Sequence, residues 1–322
     1  MTSGTLPQTI QLCPDGPSFS PLGIGTWAWG DSFFWSYGKD YDEDQLQAAF
    51  HAALDAGITF FDTAEIYGFG ESERLLGRFL KQTGQPVAIA TKYFPLPWRF
   101  TTDAVTETLK ASLNRLQVDS VALYQVHWPF DWFMGQETLM NALADEVVQG
   151  RIQAVGVSNY SAEQMQQAHD LLHQRGIHLA VNQVKYSLLS RQMETNGVVK
   201  AAQDMGITLL AHSPLDQGLL TGKYSLESEA KPSGARQFSP KFSRSGLQKL
   251  APVLDCLQAI ARKHNRTPAQ VSLNWLMNQG RVIPIPGAKN ADQARQNAGA
   301  LGWSLDEEDL QTLDTVTEPW KS

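Results

Sequence analysis

Short apolar runs alternate with amphipathic stretches along most of the chain. The runs at 22–25, 58–62, 87–91, 121–126, 153–157, 179–183, 207–211 and 282–285 read as buried strands. Between them, 42–56, 72–83, 102–116, 136–149, 162–175, 195–205 and 268–278 place apolar residues at helical spacing. The first of these helices opens on Asp42 and carries Leu46, Ala49, Phe50, Ala53 and Leu54 on one face. Gly57 follows where a left-handed cap belongs, and Gly84, Gly150, Gly176, Gly206 and Gly280 repeat that stop shortly before the next strand. About eight strand–helix units in alternation require parallel strands. Their even spread favours an α/β fold of the closed (β/α)8 TIM-barrel type over an open doubly wound sheet. The segment before Leu22 is expected to form an N-terminal hairpin across the barrel bottom, turning at Asp15-Gly16. Residues 216–244, with KPSGARQFSP, form the longest irregular stretch, and a loop of that length predicts a functional cover. No composition break marks a linker, so residues 1–322 read as one barrel domain.

Composition narrows the function classes. A chain of 322 residues, 42% hydrophobic, buries a large core without staples. Its two cysteines, Cys13 and Cys256, cannot build a disulfide framework. MTSGTLPQTIQLCPDG has neither the basic nor the apolar region of a secretory leader, and no apolar run is long enough to span a bilayer. The expectation is a cytoplasmic protein without a membrane partner, monomeric or weakly homo-oligomeric. A net charge of −7 argues against nucleic acid, which demands a basic face. GIGTWA at 23–28 spells the dinucleotide fingerprint, but no helical pattern begins until Asp42, so it reads as a strand-to-loop turn. His169 and His173 stand four apart with His178 nearby, yet Asp170 sits where a zinc helix needs glutamate. They read as a solvated helix face, and no metal is expected.

In a barrel the chemistry gathers where strands end. Those ends carry Asp62 and Tyr67 in FFDTAEIYG, Lys92 in ATKYF and His127 in YQVHWPF. GVSNY, VNQVKYS, LLAHSPL and PIPGAKN follow at the later strands. A tyrosine near pKa 10 is a poor proton donor–acceptor at neutral pH, and an adjacent Lys92 ammonium is expected to lower it. Asp62 would hold Lys92 charged, and His127 would orient a carbonyl. Such a set suits carbonyl reduction, with hydride from a cofactor because no side chain supplies one. Lys92 as a Schiff-base nucleophile of an aldolase-type barrel is the weaker enzyme reading, since Asp62 opposes the neutral amine it needs. Six of the nine tryptophans fall in the first 132 residues; Trp27, Trp98 and Trp128 directly follow strands and are expected to line a substrate pocket.

FDTAEIYG, ATKYF, HWP, GVSNY, HSPLDQGLLTGKY and IPGAKNADQARQNAGAL, in this order, resemble the motifs of the aldo-keto reductases. The resemblance runs from about Leu22 to Leu305 and is similar to a plant-chloroplast and cyanobacterial branch that includes pyridoxal reductase-like members. It implies an NADP-dependent reductase of a small-molecule aldehyde or ketone. Tyr67 would be the general acid, with Lys92, Asp62 and His127 as its partners. Ser158, Asn159 and Gln183 would hold the nicotinamide carboxamide. Ser213, Leu215, Gln217, Gly218 and Lys223 would grip the pyrophosphate, with Pro214 among the other cofactor contacts. Lys289 and Gln293 would hold the 2′-phosphate of NADPH, with Gln296 and Asn297 at the adenine. Gly25, Thr26, Trp27, Asp62, Pro286 and Gly287 complete the implied cofactor contacts. His212 stands where the family stacks Tyr or Trp on the nicotinamide, and Gln296 where many relatives carry Glu. A nicotinamide-binding regulatory subunit with slow turnover is the alternative from another class.

Overall fold

Side chains alternate across a strand, so one strand serves two cores at once. The computed structural model describes residues 7–321 except Asp15, Asp131 and Ser233. Strands β1 (Ile10–Gln11) and β2 (Ser18–Phe19) pair antiparallel as a hairpin. Its turn is held by Gly16 N–H donating to the Cys13 carbonyl at 3.0 Å; the expected turn residue Asp15 lies outside the described residues. Eight parallel strands follow in chain order: β3 (Ile24–Gly25), β4 (Phe60–Asp62), β5 (Ala88–Tyr93), β6 (Leu123–Val126), β7 (Val155–Ser158), β8 (Leu179–Lys185), β9 (Thr208–His212) and β10 (Val282–Pro284). The sheet closes on itself: Gly23 and Gly25 N–H donate to the carbonyls of Pro284 and Pro286 at 3.0 Å. Gly25 and Gly287 pair across the same seam. The structure is the expected (β/α)8 barrel with its N-terminal hairpin.

Inward positions build an apolar floor from Phe60, Ala90, Leu123, Val181, Leu210 and Ile283. The hairpin plugs that floor from below, with the Phe19 ring stacked on Phe60 at 4.1 Å. Outward positions such as Phe61, Tyr124, Val155 and Leu209 belong to the larger core under the helices.

The surrounding helices are α1 (Glu43–Asp55), α2 (Glu71–Leu80), α3 (Thr102–Leu116), α4 (Gln136–Val148), α5 (Ala162–His173), α6 (Gln192–Thr195), α7 (Val198–Asp204), α8 (Arg244–His264), α9 (Pro268–Met277), α10 (Ala291–Ala298) and α11 (Glu307–Val316). The helix expected over 195–205 is the shorter α7, because Gly197 takes a left-handed φ of 90° and separates it from α6. Three further helices have no counterpart in the expected set. In α8 the buried Leu250, Val253, Leu254, Leu257 and Ile260 carry helical spacing, but Pro252 interrupts the pattern. In α10 only Ala294 and Asn297 are buried, too little for an apolar stripe. α11 buries only Asp309 and Leu313. The segment expected to be irregular contains 3-10 turns at Asp216–Thr221, Gly234–Phe238 and Pro240–Phe242. Buried Asp216 anchors it by accepting from Lys241 at 2.5 Å. Among the described residues no helix is long and apolar enough to cross a membrane.

A Cβ at Gly25 would lie 2.8 Å from the Ile285 carbonyl oxygen at the seam, closer than side-chain carbons approach backbone. Gly25→Ala is therefore expected to destabilise the barrel by about 1–3 kcal/mol. The measurement is a urea titration, read as a lower midpoint at unchanged slope. An unchanged midpoint would mean that the seam does not close tightly there.

Candidate active site

Above the apolar floor the barrel interior turns polar. Asp62 ends β4, Lys92 lies near the end of β5 and Gln125 points inward from β6. Lys92 Nζ donates to Asp62 Oδ2 at 2.5 Å and to the Thr63 carbonyl at 2.7 Å. Gln125 and Gln183 donate to the other carboxylate oxygen at 3.0 and 2.8 Å. Both members of the ion pair are buried, Lys92 completely. A buried pair persists only when its remaining valences are hydrogen-bonded, and here both carboxylate oxygens are.

The pair reaches the cleft through Tyr67, whose hydroxyl lies 3.4 Å from Lys92 Nζ. Burial raises the Tyr67 pKa, Lys92 pulls it down and Asp62 pushes it up, for a net rise above the ordinary value. This corrects the expectation of a lowered phenol. Lys92 acts in the expected direction, but burial outweighs it. For Lys92 itself burial favours the neutral amine, yet Asp62 and Tyr67 prevail and its pKa is raised. It is a held cation, which disfavours the Schiff-base reading. His127 meets the Tyr67 ring edge-on, with ring centres 5.6 Å apart. Burial, then the Lys92 charge, hold its pKa down to about 2, so the imidazole is neutral. Its Nδ1 is buried without a hydrogen-bond partner among the described residues.

These groups open onto a cleft of about 1130 Å³. Most of the expected residues line it. Gly25, Trp27, Asp62, Tyr67, His127 and Trp128 lie along the early strand ends, and Ser158, Asn159, Gln183 and His212 along the later ones. Ser213, Pro214, Leu215, Gln217, Gly218 and Lys223 contribute the wall after β9. Pro286, Gly287, Lys289, Gln293, Gln296 and Asn297 contribute the wall after β10. Three expected residues stand elsewhere. Lys92 is hidden behind Asp62 and Tyr67. Thr26 is fully buried and donates to the Asp62 carbonyl at 3.0 Å while bonding Ser72, so it positions Asp62 and does not face the cleft. Trp98 is 68% exposed and lies off the cleft wall, because the chain after β5 carries it outward.

The donor set fits a dinucleotide. Gln183 has its amide nitrogen engaged by Asp62 and Gln125, so its carbonyl oxygen is what it offers a ligand. Asn159 donates to Ser158 Oγ at 3.0 Å and to the His127 carbonyl at 3.2 Å. Asn159, Ser213, Asp216 and Gln217 all take positive φ, between 44° and 63°. Strained backbone concentrated at one mouth is typical of a ligand clamp. Asn290 caps α10, whose N-terminus opens on the cleft with Lys289 beside it, an end suited to an anion.

Sequence reasoning missed several contributors. Gln125 stands two residues before His127 on one strand face, so strand alternation was a usable signal. Glu65 takes a two-point bond from Arg99 at 2.5 and 2.9 Å and accepts from Phe94 N–H at 2.6 Å. That clamp ties the turn carrying Tyr67 to the segment after Lys92, and no local pattern announces it. The His169 and His173 rings stack at 5.9 Å on α5. His264, Asp306 and Asp309 converge elsewhere, but Lys263 already donates to both carboxylates at 2.7 and 2.9 Å.

Lys92→Met would leave the Asp62 carboxylate buried without its cation. Stability is expected to fall by about 3–5 kcal/mol, with much of it recovered in the Lys92→Met/Asp62→Asn double variant. A loss no greater than that of an exposed pair, below about 1 kcal/mol, in the same denaturation assay would contradict a desolvated pair.

Comparison with known proteins agrees with this geometry. A family model described as "Aldo/keto reductase family" matches residues 21–318. The chloroplastic pyridoxal reductase of Arabidopsis thaliana is 41% identical over 321 residues, covering 95% of this chain and 86% of that protein. The glycerol dehydrogenase of Gluconobacter oxydans superposes with a TM-score of 0.84 at 29% identity, covering 97% of this chain and 95% of that one. An aldo/keto reductase of Klebsiella pneumoniae, solved with NADP and acetate, gives 0.72 at 28% identity, with 93% and 92% covered.

Proposed function

The chain belongs to the aldo/keto reductase family, and from that premise we propose that it is an NADPH-dependent reductase of aldehydes or ketones with Tyr67 as general acid. The observation that carries this reading is the line from Asp62 through Lys92 to the Tyr67 hydroxyl, ending at the cleft. When bound, NADPH supplies the hydride. Ser158, Asn159 and the Gln183 carbonyl oxygen would hold its carboxamide, and His212 would stack on its ring. Tyr67 donates its proton to the carbonyl oxygen, which becomes an alcohol. The phenol is protonated at every physiological pH because burial raises its pKa. The Lys92 ammonium, held charged by Asp62, stabilises the phenolate left behind. Neutral His127 hydrogen-bonds the carbonyl oxygen and fixes its direction without competing for the proton.

Trp27 and Trp128, 37% and 41% exposed, make the outer wall apolar and flat. A planar aromatic aldehyde suits such a wall, and the name of the Arabidopsis relative supports pyridoxal as the first candidate to test. The regulatory-subunit alternative shares the same four groups, so turnover is what separates the two readings.

The test is NADPH oxidation with a carbonyl panel that includes pyridoxal, repeated with NADH. Tyr67→Phe is expected to lower kcat by about 10²–10⁴-fold with NADPH affinity unchanged. Near-normal turnover in that variant would remove Tyr67 from the role of acid. Saturable NADPH binding without turnover on any carbonyl would move the reading to the regulatory subunit.

The pH profile provides a separate check. With His127 titrating near 2 and Tyr67 above its usual range, kcat/KM is expected to stay flat from about pH 5 to 9. A limb between about pH 6 and 7 would show that His127 ionises, against the burial seen here.

A further inference from the structure

Three aromatic rings at alternate positions of the loop between β6 and α4, Trp128, Phe130 and Trp132, form a row that leaves the cleft. Trp128 lines the cleft wall beside His127, whereas Phe130 and Trp132 stand outside it. The Trp128 ring stacks on Phe130 with centres 6.0 Å apart and planes 10° from parallel. Phe130 stacks in turn on Trp132 at 5.5 Å and 26°. Phe94, from the loop after β5, meets His127 edge-on at 5.6 Å and Phe130 edge-on at 6.2 Å. It ties the row to the imidazole at the site.

Packing does not account for this row. Trp132 is 78% exposed, and Trp128 and Phe133 are exposed with it. An isolated exposed ring needs no explanation, but a contiguous row of them marks a binding surface. The backbone beneath is stiff. Pro129 follows Trp128, and Phe130 N–H donates to the Trp128 carbonyl at 2.8 Å. Beside Phe94 stand Pro95 and Pro97, and Arg99 donates to the Phe94 carbonyl at 2.8 Å. A platform fixed before its ligand arrives loses little freedom on binding. Its chemistry is also narrow. Residues 127–135 carry one charged side chain, Asp131, and residues 94–101 carry only Arg99, which Glu65 engages at two points. Neither loop offers a cation to a phosphate or carboxylate, while the ring faces suit a flat neutral group. Because the row begins at the cleft wall, its occupant enters with the reacting carbonyl.

We propose that the Trp128–Phe130–Trp132 row binds the distal part of the substrate, so that the site selects neutral carbonyl compounds whose flat aromatic or conjugated framework continues past the ring next to the carbonyl. The inference rests on the reading of the cleft as a carbonyl-reductase site and names the class of substrate that this site takes. A single-ring aldehyde fills the Trp128 end, and a second ring in line with the first covers Phe130 and Trp132. Phe130 and Trp132 are then specificity-determining residues distant from the cofactor and the reacting atoms.

The test compares benzaldehyde with biphenyl-4-carbaldehyde in NADPH oxidation by the full chain and by its Trp132→Ala, Phe130→Ala and Trp132→Phe variants. Selectivity is kcat/KM for the two-ring aldehyde divided by that for the one-ring aldehyde. It is expected to reach about tenfold in the unmodified chain and to fall about five- to tenfold in both alanine variants through KM. Trp132→Phe should recover part of the loss, and a 4′-carboxylate on the two-ring aldehyde should abolish the gain. An unchanged urea midpoint in Trp132→Ala separates these effects from misfolding. Calorimetric binding of benzyl alcohol and biphenyl-4-methanol with NADP present repeats the comparison without turnover. Selectivity unchanged in both alanine variants, or below about twofold in the unmodified chain, overturns the proposal. A dimer that Trp132→Ala dissociates with selectivity intact gives the rings to a second copy of the chain and overturns it likewise. Ring-dependent binding of the alcohols without turnover of any carbonyl removes the reductase reading and leaves the row as a binding surface. Neither turnover nor discrimination in binding overturns both.

Discussion

The constraint on which the site depends is the burial of one full ion pair inside the barrel. Lys92 and Asp62 are both removed from water, and neither would be stable there alone. Every neighbouring polar choice answers that demand. Gln125 and Gln183 satisfy the second carboxylate oxygen, Thr63 accepts from the ammonium, and Thr26 and Ser72 hold the backbone from which Asp62 projects. The hairpin stacks Phe19 on Phe60 below, so the floor beneath this polar layer is apolar and packed. A charge enclosed in this way acts over a short distance with little screening, and Tyr67 is the group that receives its effect.

Burial acts on the titrating groups in opposite senses, with one chemical result. It raises the Tyr67 phenol and lowers the His127 and His212 imidazoles, leaving all three neutral. Lys92, behind the tyrosine, carries the positive charge beside these three. A proton is then available from one group only, while the imidazoles offer hydrogen bonding without ionisation. The Glu65–Arg99 clamp serves this division by fixing the turn that presents Tyr67.

The cover is organised by the same economy of charge. Asp216 is buried at its start and balanced by Lys241, with Lys185 at 3.9 Å. Near its tip, Gly234 permits close backbone approach and Arg236 lies on Trp35. The segment is thus fixed at its base by an ion pair and at its tip by contacts beside the cleft. Between them lie exposed residues such as Leu226 and Glu227 with few obligations to the core.

The sequence alone determined the barrel, because buried parallel strands and capped amphipathic helices each leave a periodic local signature. It placed Asp62, Tyr67, Lys92 and His127 at strand ends for the same reason, and its ordered motifs carried the family resemblance. It did not reveal α10, whose buried face is two residues wide, or the break at Gly197, which one left-handed residue decides. It gave Lys92 the right direction of influence on Tyr67 but the wrong net result, since burial depends on the whole enclosure. It put Trp98 in the pocket and Thr26 on the cofactor because nearness to a strand end does not fix where a side chain points. Gln125, the Glu65–Arg99 clamp and the contact of Phe94 with Phe130 were decided by tertiary structure. Each joins residues from different strand–helix units, and closure of the barrel is what brings those units into contact.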